Sequence, residues 1–245
     1  MNTWVVGLRV NWLGRMEFQR ALALQEAIML KKREDPSAED QLLLLEHEPV
    51  YTIGRTPDRS SLSTAGPHTQ RIRPQEKRIC HGELDGAHLP HPLFVINRGG
   101  QATYHGPGQL IGYPIIDLRR CGQDLHKYLR WLEKFLIDIL AEYGIAGARR
   151  ESFTGVWAGA RKVASIGVGV RHWITMHGFA LNVCGDLSPF NRIVPCGINN
   201  VEMTSIEKET GTAVSVARVA ASVERLAPDQ INDLRVIREA QSIHA

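Results

Sequence analysis

Three short stretches of this chain carry side chains that could do chemistry. In residues 98–109 (RGGQATYHGPGQ) four glycines fall within eleven positions, and Arg98, Tyr104, His105 and Gln109 are set among them. Glycine lets backbone approach a ligand where any Cβ would collide. A tight surface turn would use the same glycines but has no need of the Tyr-His pair or the glutamine. The spacing is neither GxxxxGK[ST] nor a GxGxxG opening a helix, so it does not point to a nucleotide. The second stretch, residues 161–167 (RKVASIG), puts Lys162 at the head of a strand of small and β-branched residues. Such a lysine is either a solvated strand-end cation or one held inward over a cleft. In the third, Pro195-Cys196-Gly197, the cysteine sits on a constrained bend between residues that leave its sulfur accessible.

The cysteines have to be weighed against one another. Cys80, Cys121, Cys184 and Cys196 show no CxxC and no paired spacing, which argues against a zinc ribbon or a dithiol redox site. Cys184 lies in an apolar strand and fits a buried structural thiol. Cys121 follows Arg119 and Arg120 ahead of a helix and is a rival as an activated thiol. Cys80-His81 with His88 and His91 matches no common zinc pattern, so no metal site is expected.

These residues need elements to position them. Residues 15–33 read as an amphipathic helix with Lys31, Lys32 and Arg33 at its C-terminus. Leu42-Leu43-Leu44-Leu45 reads as a buried strand, continued by residues 50–54. Residues 93–96 form a strand leading into the glycine-rich stretch, and residues 110–118 another. Asp124 opens the clearest helix, with Gly144 to end it. Residues 153–183 turn to β pattern, with a reversal at Arg171-His172. Two helical stretches follow, at 204–209 and 214–226. The charged tail 228–245 docks loosely, and residues 60–92 form a loop insertion. The expected architecture is one α+β domain over 1–245, a mixed sheet flanked by helices.

Composition narrows the class. At 43% hydrophobic and 22% charged the chain is that of a soluble globular protein. A net charge of +3 suits an acidic partner but is too small to argue for nucleic acid. No apolar run reaches the roughly 18–20 residues of a membrane span. The N-terminal residues lack the layout of a signal peptide, so the cytoplasm is the expected compartment.

Residues 98–118 (RGGQATYHGPGQLIGYPIIDL) closely resemble the signature of the lipoyl(octanoyl) transferase family. Residues 162–183 (KVASIGVGVRHWITMHGFALNV) and 195–198 (PCGI) are similar to two further family stretches, in the same order. With EHEPVYTIGR (46–55) the likeness covers most of residues 15–210. It thins over the first dozen residues, over 60–92 and beyond about 226. The resemblance implies the fold shared by biotin and lipoate protein ligases, built around an acyl pocket.

It also implies the roles. Cys196 would carry an octanoyl thioester, and Lys162 would be its partner in a Cys/Lys dyad. Arg98, Gly99, Gly100, Gln101, Ala102, Thr103, Tyr104 and His105 would line the acyl site, with Ser165, Ile166, Gly167, Gly178, Phe179 and Ala180. His105 and His177 would stand near the reacting carbonyl. The donor would be octanoyl-acyl-carrier protein. Such a carrier is expected to be acidic, and Arg149, Arg150, Arg161 and Arg171, which lie in sequence beside the proposed site strands, would give it a basic docking face. The acceptors would be lipoyl domains of 2-oxoacid dehydrogenase complexes and the glycine cleavage H protein. Thioester exchange followed by amide formation needs no ATP and no cofactor. An ammonium beside the thiol favours the thiolate. Burying an eight-carbon chain contributes about 5 kcal/mol at ~0.8 kcal/mol per CH2. Two alternatives on the same fold are an ATP-dependent lipoate or biotin ligase and a non-catalytic acyl-binding protein. A further relative would move octanoyl between carrier domains using a cysteine placed elsewhere.

Overall fold

A computed structural model describes residues 7–55, 89–193 and 201–241, with side chains as far as Arg235. Cys80, Cys196, the Cys80-His81-His88 group and most of the 60–92 insertion lie outside the described residues. In chain order the elements are β1 (Leu8–Met16), α1 (Phe18–Glu34), β2 (Asp40–His47), β3 (Val50–Ile53), β4 (Leu93–Val95), β5 (Thr103–His105) and β6 (Gln109–Ile115). They continue with α2 (Leu125–Ala141), β7 (Gly147–Arg150), β8 (Phe153–Ala158), β9 (Arg161–Arg171), β10 (Ile174–Asn182), α3 (Ile206–Thr210) and α4 (Val216–Gln241).

Seven strands form one sheet in the order β1-β2-β6-β10-β9-β8-β7, parallel between β1 and β2 and antiparallel elsewhere. The leucines of β2 show why its four-residue apolar run is fully buried. Leu42 and Leu44 join the core under α2 and α4, while Leu43 and Leu45 join Ala21 and Met29 of α1 on the opposite face. Helices cover both faces, so both sides of the strand are apolar. The fold is the expected α+β arrangement of a mixed sheet flanked by helices. A second sheet, β4-β3-β5, carries the glycine-rich stretch, with β5 formed by its Thr-Tyr-His.

The caps of α2 are as read from the sequence: Asp124 accepts from the Lys127 amide, and Gly144 adopts a left-handed conformation just past the end. Three boundaries differ. Residues 8–16 form β1, so α1 begins at Phe18 rather than at residue 15. The hairpin turn is His172-Trp173, one residue later than expected, and both have positive φ (53° and 63°), as a type I′ turn requires. The chain after Pro228 is no loose tail, because α4 runs through that proline to Gln241. Ala227, Ile231 and Leu234 are buried against α2 and the sheet, and the Trp131 indole donates to Gln230 O at 2.7 Å. Each buried Ile or Leu contributes about 1.5–3 kcal/mol, which offsets the ~3 kcal/mol cost of an interior proline.

Arg235, on that same stretch, reaches Asp40 at the start of β2. Asp40 is fully buried and also pairs with Lys32 Nζ of α1 at 2.7 Å and accepts from the Asp117 amide at 3.1 Å. One carboxylate thus ties α1, β2 and α4 together.

Candidate active site

Lys162 is fully buried in spite of its place near the start of β9. A register shift explains where it points. Val156 pairs with Ala164 and Trp157 with Lys162, so Val163 is an extra residue on β9. Val156, Val163 and Ala164 belong to the core under α2. The bulge turns Lys162 to the other face, where strand alternation already places Trp157, a re-aiming that bulges commonly produce. There the ammonium donates to Thr154 O at 3.2 Å and lies 4.9 Å from the centroid of the Trp157 ring. A Cβ on Gly155 would stand 2.8 Å from Lys162 Cε, so the side chain passes over a residue that has none. The backbone is fixed from the other side. Lys162 N donates to Glu202 O (2.8 Å), and Thr204 N donates to Lys162 O (2.9 Å). The described chain resumes at Val201, so within three residues of resuming it is bonded to Lys162.

A directional chain of polar groups leads to the same place. Arg98 Nη2 donates to Thr52 Oγ1 at 2.8 Å and to Thr52 O at 3.0 Å. His105 Nδ1 is 2.7 Å from Gln109 Oε1, which can only accept, so Nδ1 carries the proton. His105 Nε2 therefore accepts from the Thr52 hydroxyl at 3.4 Å. Gln109 Nε2 donates to Asn182 Oδ1 (2.8 Å), and Asn182 Nδ2 donates to Thr204 O (2.9 Å). Every donor points from Arg98 towards Thr204, whose own amide holds Lys162.

Three histidines stand along this face. His47 Nδ1 donates to Met16 O at 3.1 Å, and its Nε2 accepts from the Tyr113 hydroxyl at 2.7 Å. Burial pushes His47 down to about 4 and His105 to about 3, the latter helped by the neighbouring His47. His177 is also lowered to about 3, first by burial and then by Arg98. All three are neutral imidazoles near pH 7. Strand alternation would send His177 to the α2 side with its partner Val168. Its left-handed backbone (φ 57°) brings the ring instead against Tyr113, and its amide donates to Gln25 Oε1 at 2.8 Å.

The structure brings most of the expected site residues together. Gly99 N donates to Val168 O at 2.9 Å. Gly167 gives this segment room, because a Cβ there would stand tightly at 3.0 Å from Arg98 Cδ and 3.1 Å from Gly99 O. Gly100 has φ 86°, and its carbonyl lies where a Cβ on Gly54 would be. Tyr104 folds over Gly106 and packs on Tyr51 and Phe190. Thr103 is buried in β5 opposite Thr52, and Ala102 is core beneath it. Gln101 has a buried Oε1 without a hydrogen-bond partner among the described residues. Ser165 pairs with Ala180, and Gly167 with Gly178, on the Lys162 face.

Two expected residues face away. Ile166 and Phe179 pair with each other and pack into the α2 core, Phe179 edge-on to Phe135. The period of two in a strand separates them from Ser165, Gly167, Gly178 and Ala180. The expected basic face is also dispersed. Arg149 pairs with Glu133 and Arg161 with Glu209, while Arg171 is at the far end of the eleven-residue β9. Motif reading missed Thr52, Asn182 and Trp157. Asn182 had a signal, being a lone amide at the end of the apolar run GFAL.

Residues 17–226 match the family described as Lipoyl protein ligase A/B catalytic domain. A protein named Octanoyltransferase from Geobacter sulfurreducens is 47% identical over 216 residues, covering 88% of this chain and 81% of that protein. One of the same name from Geobacter metallireducens is 47% identical over 216 residues and is 90% covered. Among solved structures, an archaeal bi-partite lipoate protein ligase from Thermoplasma acidophilum superposes with a TM-score of 0.63 over 93% of this chain and 84% of that one. At 13% identity that likeness speaks for the fold.

Proposed function

Since the chain belongs to the lipoyl protein ligase A/B catalytic-domain family, we propose that its buried lysine serves a cysteine-based octanoyl transfer. The chain is an acyltransferase that moves octanoyl groups in protein lipoylation, and lipoyl domains are its acceptors. In the proposed reaction the Cys196 thiolate attacks the thioester carbonyl of octanoyl-acyl-carrier protein. The new C–S bond forms as the bond to the carrier sulfur breaks, and the carrier thiolate leaves with a proton supplied through Lys162. The lysine amine of a lipoyl domain, from a 2-oxoacid dehydrogenase complex or the H protein, then attacks the acyl-Cys196 carbonyl. An amide forms, the C–S bond to Cys196 breaks, and the amine's proton returns through Lys162.

The observation that carries this reading is Lys162 itself. A fully buried ammonium costs several kcal/mol in desolvation unless groups are arranged around it. Here a carbonyl, an aromatic face and a glycine gap are arranged for it. The described chain that resumes five residues after Cys196 is bonded to the same lysine's backbone.

A single-turnover assay with octanoyl-carrier donor and lipoyl-domain acceptor, without nucleotide, tests the reading. Wild type is expected to form product. Lys162→Arg keeps a charge but cannot take up the amine's proton at accessible pH, so it is expected to accumulate acyl-enzyme and release product slowly. Product formation that depends strictly on ATP would overturn the proposal.

A further inference from the structure

We infer that Trp157 is a positioning residue for Lys162, its ring face holding the ammonium in the orientation transfer requires. The inference rests on the reading of Lys162 as the proton-handling group. Three residues of β8 form a slot for this one side chain. Thr154 accepts from Nζ, Gly155 leaves room for Cε, and the Trp157 ring stands 4.9 Å from Nζ. Cations over an indole face are held electrostatically, more strongly where water is excluded.

Two further observations separate this role from simple core filling. The Trp157 indole N–H is buried and has no hydrogen-bond partner among the described residues. Burying a donor unpaired destabilises a fold, so a phenylalanine would fill the position without that cost. Moreover, Trp157 does not point into the main core. Its β8 neighbour Val156 does so, while Trp157 meets cations: Lys162, and Arg150 with Cζ 5.7 Å from the same centroid. Phe153 stands beside it, its ring tilted by 54° at 6.5 Å between centroids.

The test is steady-state kinetics of Trp157→Leu, Trp157→Phe, Lys162→Met and the Leu/Met double variant, with octanoyl-carrier donor and lipoyl-domain acceptor. Thermal unfolding checks each fold. Trp157→Leu is expected to lower kcat about tenfold or more, with the donor KM within about twofold. Trp157→Phe, which keeps a smaller aromatic face and loses the pyrrole ring with its N–H, is expected to fall between wild type and Trp157→Leu. In the Lys162→Met background, Trp157→Leu is expected to add nothing. A wild-type kcat in Trp157→Leu, a Trp157→Phe as slow as Trp157→Leu, or a full Trp157→Leu effect without the lysine would each overturn the inference. A fully active Lys162→Met would instead remove the reading of the lysine, whatever Trp157 does. Should Trp157→Leu fail to fold, NMR of the unsubstituted protein decides. The Lys162 ε-methylene protons are expected upfield from the ring current, and a random-coil shift there would overturn the inference.

Discussion

Asn182 Nδ2 donates to Thr204 O at 2.9 Å, while its Oδ1 accepts from Gln109 Nε2 at 2.8 Å, so one buried amide joins the glycine-rich stretch to the segment that holds Lys162. Replacing it by leucine takes away the Thr204 acceptor's side-chain donor and leaves Gln109 Nε2 only its longer bond to Tyr104 O at 3.4 Å. An orphaned buried group costs about 1–3 kcal/mol. Asn182→Leu is therefore expected to lower Tm by several degrees and kcat more than KM. Calorimetry and kinetics check this, and unchanged values for both would show the relay to be idle.

Gly155 offers a sharper probe of the lysine slot. A Cβ there would stand 2.6 Å from Ala164 O and 2.8 Å from Lys162 Cε, with a backbone φ of 132°. Gly155→Ala is expected to displace Lys162 and reduce transfer by at least about tenfold, while acyl-carrier binding measured by titration stays within about twofold.

The Asp40 node predicts a large effect away from the site. Lys32 Nζ and the Arg235 guanidinium both meet this fully buried carboxylate. Asp40→Ala would leave the buried Lys32 ammonium and the partly buried Arg235 guanidinium without their counter-charge, which costs about 3–5 kcal/mol. Denaturant titration should show the midpoint falling with the slope unchanged.

Stability should depend on pH through the buried histidines. His47, His105 and His177 have folded-state values near 4, 3 and 3, against an ordinary 6.5. Between those limits the unfolded chain binds protons that the folded one does not, so stability is full above about 6.5 and is lost as pH falls. Each group contributes up to about 1.4 kcal/mol per pH unit in that window. Equilibrium unfolding at pH 7, 6 and 5 should steepen this way, and His177→Asn should reduce the slope by about one proton.

Much of this was legible in the chain, and the misses have physical reasons. The buried leucines of β2 and the Asp124 cap of α2 follow from local pattern. The half-buried edge strand β1 does not, since Arg9, Asn11 and Gly14 interrupt its apolar residues. Pro228 reads as a helix end until Ile231 and Leu234 are seen in the core. Contiguous motifs made Ile166 and Phe179 look like site residues, although strand alternation sends them away. The bulge at Val163 and the left-handed His177 reverse that alternation, and neither leaves a trace in composition. Trp157 read as one more strand residue, because its partner is set by hairpin register.

Passage of octanoyl through Cys196 is read out by intact mass spectrometry after incubation with octanoyl-acyl-carrier protein. One octanoyl adduct is expected on wild type, Cys80→Ala, Cys121→Ala and Cys184→Ala, and none on Cys196→Ala. An adduct that persists in Cys196→Ala would contradict the account.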